Sequence, residues 1–245
     1  MGAGVREPAR ALRSDRTVQP TSPTEILGVP MKSSHVAVWS ARSAGVALSL
    51  LLLSATPVAA IVIGGGVTSG GGSFVLLTPP FGGSTPVNTV GNNTFQTLNL
   101  YAFNEVQNVV APAGGLAVDD LAGPAGAGTI AAGTLVASHY VFFDPLNPAN
   151  QAGWVDFDSK ILGVITSRDL LIASDILVNP GVSYLSPTLR GLEPQDSATI
   201  DGSLNYRLRV DWSASSPGDY VRVLTERSPG APVPEAAPTG LLLEA

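Results

Sequence analysis

Residues 203–212 alternate strictly. Leu204, Tyr206, Leu208, Val210 and Trp212 are apolar, and Asn205, Arg207, Arg209 and Asp211 between them are polar. A period of two over that length predicts a strand with one dry face and one wet face. Thr134–Phe143 (TLVASHYVFF) is largely apolar on both faces, as in a strand covered from both sides. Thr94–Phe103, Gly153–Phe157, Lys160–Thr166 and Tyr220–Thr225 read as further strands, the middle two separated by Asp158-Ser159 at hairpin-like spacing. Asp144–Pro148, Asn179–Gly181 and Ser215–Asp219 are turns. Ser167–Ile176 has room for one or two helical turns, with Ser167 as the cap and Asp169 favouring the N-terminal end. Ala111–Gly133 reads as a long connection with one short strand and an exposed Asp119-Asp120 pair. Ile61–Gly91, rich in Gly, Ser and Pro, reads as an irregular leader in which only Phe74–Leu77 is a strand. Strand after strand with turn signals between them predicts an all-β fold, a single β-sandwich or jelly-roll-like domain over residues 92–228.

The segment before this domain is patterned differently. Lys32 and Arg42 are basic, residues 45–54 are uncharged and mostly apolar, and Val58 and Ala60 are small residues at the −3 and −1 positions of a cleavage site. This is the three-part layout of a secretory signal peptide, assigned to residues 31–60. The alternative is an N-terminal anchor, but the apolar run falls short of the roughly 20 residues a bilayer requires. Residues 1–30 hold four arginines and no apolar period. They read as an extension upstream of a start at Met31, or else as a long disordered n-region. The expected location is secreted, extracellular or cell-surface, with no stable membrane anchor after processing.

Composition narrows the chemistry. The chain has 245 residues, 13% of them charged, with 27 glycines and 20 prolines. The formal charge of −6 divides as +3 over residues 1–60 and −9 over residues 61–245. An acidic mature domain is a poor partner for nucleic acid or anionic lipid. The absence of cysteine excludes disulfides, thiolate nucleophiles and cysteine-based metal centres. No cofactor is expected.

Two stretches carry a resemblance. Val233-Pro-Glu235, followed by Ala236-Ala-Pro-Thr-Gly and Leu241–Leu243, is similar to the start of a PEP-CTERM sorting signal. It departs from that pattern at Ala236, which stands where the second proline belongs. It also stops at Glu244-Ala245, without the spanning helix and the arginine cluster. Within residues 95–226, Tyr101–Asn108, Ala132–Asp144, Phe157–Ile165, Arg190–Glu193 and Ser216–Val223 resemble exported bacterial PEP-CTERM proteins. The resemblance implies export, a β domain, contact with the export and sorting machinery, and association with extracellular polysaccharide. It implies no catalytic residue or ligand.

The candidate ligand-binding residues are Trp154, Asp156 and Asp158, placed on one face of a short strand. A tryptophan beside carboxylates suits a sugar, the ring stacking on a pyranose and the oxygens accepting its hydroxyls. The same carboxylates suit calcium, or an acid/base pair of a glycoside hydrolase. The structural alternative packs Trp154 under the Pro145–Pro148 loop and leaves the aspartates solvated; the sequence favours it. His139, mid-strand and with no nucleophile elbow in the chain, reads as a hydrogen-bonded core residue and not a catalytic one. Arg190, Glu193 and Arg222 read as structural, and Asp219 as a turn stabiliser. The function expected is binding or structural, in the extracellular matrix. The alternatives are a carbohydrate-binding module and a carboxylate-dependent glycoside hydrolase.

Overall fold

The computed structural model describes residues 60–123 and 126–227. The signal segment apart from Ala60, the residue Val58, the upstream stretch 1–30 and the motif Val233-Pro234-Glu235 lie outside the described residues.

The chain is all-β. Its principal strands are β1 (Val62–Ser69), β2 (Phe74–Leu77), β3 (Leu100–Asn104), β4 (Val109–Val110), β5 (Asp120–Leu121) and β6 (Leu135–Phe143). They continue as β7 (Ala149–Phe157), β8 (Ile161–Ile165), β9 (Ser197–Ile200), β10 (Arg207–Ala214) and β11 (Asp219–Glu226). One sheet has the order β1-β7-β10-β9. The other runs β2-β3-β6-β11-β8-β5, with β4 also paired to β6. Thr89–Val90 pairs with Ser183–Tyr184, and Leu116–Val118 with Gly128–Ile130, as two small ladders.

The core lies on both sides of the larger sheet. One cluster mixes residues of the two sheets, among them Leu100, Val141, Phe143, Phe157, Trp212 and Val221. Phe143 and Trp212 stack across it, their rings 6.3 Å apart and 11° from parallel. The other face of the larger sheet carries a second cluster, including Phe95, Phe103, Phe142 and Tyr220, closed by Leu171 of the helix α1 (Arg168–Ala173). β6 sits between β3 and β11 and is buried from Val136 onward. That is the two-sided burial its apolar run requires.

Several elements differ from the sequence expectation. The glycine-rich stretch after Ile61 is not an irregular leader. Its first eight residues from Val62 are β1, paired antiparallel to β7 with Gly66 opposite Trp154. Glycine is needed there because neighbouring rings occupy the space: a Cβ on Gly65 would meet Phe74 at 2.4 Å, and one on Gly66 would meet Trp154 at 2.9 Å. β7 and β8 do not form a hairpin. The Asp158-Ser159 turn carries the chain from one sheet to the other, because Phe157 and Ile161 both point into the core the sheets share. The Ala111–Gly133 connection contains several short strands, and Asp119 and Asp120 are half-buried. Ser167 makes no side-chain cap. Asp119 Oδ2 instead accepts the N–H groups of Thr166 and Ser167, each at 2.7 Å.

The alternation of residues 203–212 holds only from Arg207 onward. Leu208, Val210 and Trp212 are buried, while Leu204 and Tyr206 sit in the preceding turn and are exposed. His139 is a core residue: its side chain contacts Asn104 Oδ1 at 2.8 Å and Thr225 Oγ1 at 3.0 Å. Asn104 Oδ1 also accepts the Val62 N–H. His139 Nδ1 therefore donates, and Nε2 accepts the threonine hydroxyl. No helix among the described residues is long and apolar enough to cross a membrane.

Candidate functional site

Trp154 and Asp156 do share the outer face of β7, with Asp158 just past the end of the strand. Pairing of β7 with β10 brings Arg207 opposite Asp156 and Arg209 opposite Trp154. Arg207 uses that position twice. Its Nε donates to Asp156 Oδ1 at 2.6 Å and its Nη2 to Oδ2 at 2.7 Å, the bidentate geometry that makes arginine–carboxylate pairs specific. Its guanidinium carbon also lies 4.0 Å from the centre of the Trp154 ring, a cation–π contact.

The outcome differs from both expectations for Trp154. The indole rests on β1 at Gly66 and is covered by Arg207; the Pro145–Pro148 loop lies at the other end of β7. Asp156 spends both oxygens on Arg207, and Asp158 Oδ1 accepts from the Ile61 N–H at 3.1 Å and from Ser159 Oγ at 2.9 Å. Carboxylates engaged in this way hold β1, β7 and β10 together. An acid/base pair flanking a scissile bond needs them turned toward a substrate.

Beside this stack is a concave surface of about 480 Å³, lined by Ile63, Asp156, Asp158, Leu204, Tyr206 and Arg207, with Phe157 at its base. Ile63, Leu204 and Tyr206 expose 59%, 46% and 45% of their surface, unusually high for three neighbouring large apolar groups. The turn Asp201–Tyr206 causes the exposure. Asp201 Oδ1 accepts both the N–H and the hydroxyl of Ser203, and the Asp201 carbonyl accepts the N–H groups of Leu204 and Asn205. The carbonyls of Asn205 and Tyr206 then accept from Ile161 and Phe157. With its backbone tied to the sheet rim, the turn directs Leu204 and Tyr206 outward. The hydrogen bonds from Ser203, and after them Arg209, hold the Asp201 carboxyl down at about 2.

The sequence reading found Asp156 and Asp158 here but missed Arg207, Tyr206 and Leu204. An acidic residue on one wet strand face and arginines on another were a usable signal for cross-strand pairing. The exposure of Tyr206 had none, because the alternating pattern placed it on the dry face. Comparison of the chain with protein-family models, with curated proteins and with solved structures finds no match.

Proposed function

We propose that this chain is an exported, non-enzymatic β-sandwich protein of the bacterial cell surface or extracellular matrix, related to the PEP-CTERM proteins, which acts by binding polysaccharide. The observation that carries the reading is the Tyr206 surface: an exposed aromatic plate and two aliphatic groups beside the Asp156–Arg207 pair and Asp158. A sugar ring presents C–H groups on its faces and hydroxyls at its edge. An aromatic face takes the first; the second lone pairs of the Asp156 oxygens and the Nη1 donors of Arg207, which their mutual pairing does not use, take the second. Export is supported by the signal-like segment: basic Lys32 and Arg42, the uncharged run 45–54, and small Val58 and Ala60.

The test is retention of the purified protein in native gels cast with soluble acidic and neutral polysaccharides. Retardation by at least one of them, lost at least tenfold in Tyr206→Ala with an unchanged circular dichroism spectrum, is the expected result. Unretarded migration in every gel sinks the binding reading. Intact mass of the protein recovered from the medium tests export separately: a chain beginning at Ile61 is expected, and an unclipped chain confined to the cytosol would refute it.

A further inference from the structure

A second concave region lies at the rim where the two sheets meet. It encloses about 600 Å³, and its charged lining is entirely acidic: Asp119, Asp120, Glu193 and Asp196, with no lysine or arginine. Two of these four are already committed to backbone donors, Asp119 to Thr166 and Ser167 and Asp120 to Gly126. Glu193 and Asp196 meet a third carboxylate, Asp219, at the start of β11. One oxygen from each lies within 4.8 Å of the other two.

Asp219 is the unusual member. The sequence assigns it to the Ser215–Asp219 turn, but the turn is closed by the Gly218 N–H on the Ser215 carbonyl. Asp219 is 1% exposed as a residue, and its Oδ2 has no hydrogen-bond donor. None of the ion pairs among the described residues reaches Asp219, Glu193 or Asp196. A buried carboxylate that faces two others and has an oxygen without a donor is costly unless a proton or a cation lies between them.

We propose that Glu193, Asp196 and Asp219 form a calcium site that ties the 191–196 loop and the start of β9 to the start of β11. The donor set is all oxygen, which selects a hard cation over zinc or copper. Asp196 is held in place by the Ser213 N–H at 2.8 Å on Oδ1 and the Glu193 N–H at 3.2 Å on Oδ2, and each oxygen keeps a further lone pair. Three carboxylates leave several of the six to eight positions around calcium to water, which the open cleft admits. Magnesium, which demands a regular octahedron, suits the set less well. Incomplete protein coordination places the affinity in the range of extracellular modules, about 10⁻⁴–10⁻³ M. The site is independent of the Tyr206 surface and stands or falls without it.

The experiment is equilibrium dialysis of the chelator-stripped full chain against calcium chloride, with thermal unfolding in parallel. The expected result is one calcium per chain and a midpoint raised by about 4 °C at tenfold excess over the dissociation constant. Glu193 is exposed, so Glu193→Gln folds normally; it is expected to weaken uptake at least tenfold and to abolish the rise. Asp219→Asn is expected to abolish uptake while leaving the calcium-free protein at least as stable. No uptake at about 10 mM calcium overturns the proposal. So does uptake unchanged in both variants, or an equal rise with magnesium at the same ionic strength.

Discussion

Arg222 and Glu105, 117 residues apart, form an ion pair in which neither side chain has any exposed surface: Nε reaches Oε2 at 2.7 Å and Nη2 reaches Oε1 at 3.0 Å. Every direction around the pair is used. Glu105 also accepts from Ser138 Oγ and the Tyr184 hydroxyl, and Arg222 also donates to the Leu171 carbonyl and Ser174 Oγ. The pair thereby fastens α1 and the Ser183–Tyr184 segment to the centre of the larger sheet. Arg190 extends the anchorage with two bonds to Asp175.

Breaking that pair from one side leaves a buried charge alone. Arg222→Met is expected to cost about 3–5 kcal/mol in urea unfolding, and the double variant Glu105→Leu with Arg222→Met clearly less than the sum of its parts. A single-variant cost below about 1 kcal/mol would show that the network is not load-sharing.

His139 sets a pH dependence. Burial alone lowers its imidazole from 6.5 to about 3. Between those values the unfolded chain takes up a proton that the folded chain refuses, so stability is complete above pH 6.5 and declines as the pH falls toward 3. The slope for this one group approaches about 1.4 kcal/mol per pH unit. Burial pushes the Asp219 carboxyl up to about 8, which works in the opposite sense over the same range, so the readout is the difference: from pH 7.5 to 5.5 to 4.5 the urea midpoint should decline more in the unmodified chain than in His139→Gln. A decline as steep in the variant would assign it to other groups.

Gly70 and Gly202 are expected to respond oppositely to alanine. Gly70 has φ +92°, and a Cβ there would lie 1.9 Å from the Asn150 carbonyl oxygen, backbone that cannot step aside. Gly70→Ala should lose at least about 2 kcal/mol. Gly202 has nothing within 4 Å of such a Cβ, and its substitution should stay within about 0.5 kcal/mol of neutral. Thermal midpoints of the two variants decide it.

The Arg207–Trp154 contact is expected to report in fluorescence. Removing the guanidinium in Arg207→Ala uncovers the indole and should shift its emission to the red. A double-mutant cycle with Asp156→Ala should return a coupling on the order of 0.5–1 kcal/mol, as for a pair at the surface whose side chains are each 24% exposed. Unshifted emission would mean that Arg207 does not cover the ring in solution.

Local patterning carried most of the secondary structure. β6, β10 from Arg207 onward and β11 were legible because two-sided or alternating burial writes itself directly into residue order. β1 was not legible, since Gly64–Gly66 look like a flexible run when the rings of Phe74 and Trp154 that fill their space lie elsewhere in the chain. The candidate site divides in the same way. Asp156 and Asp158 were found from their spacing, whereas Arg207 and Tyr206 emerged only from strand register and from a turn pinned to the sheet rim.

Sequence by itself determined the all-β class, the absence of thiol chemistry, the acidic charge of the segment after Ala60 and the core placement of His139. These depend on composition and on the period-two geometry of a single strand, which need no distant partner. Tertiary structure alone decided that Asp158-Ser159 crosses between sheets, that Asp156 is held by Arg207, and that Glu193, Asp196 and Asp219 converge. Those relationships join residues far apart along the chain. Only the pairing of strands and the closing of a shared apolar core bring such residues together.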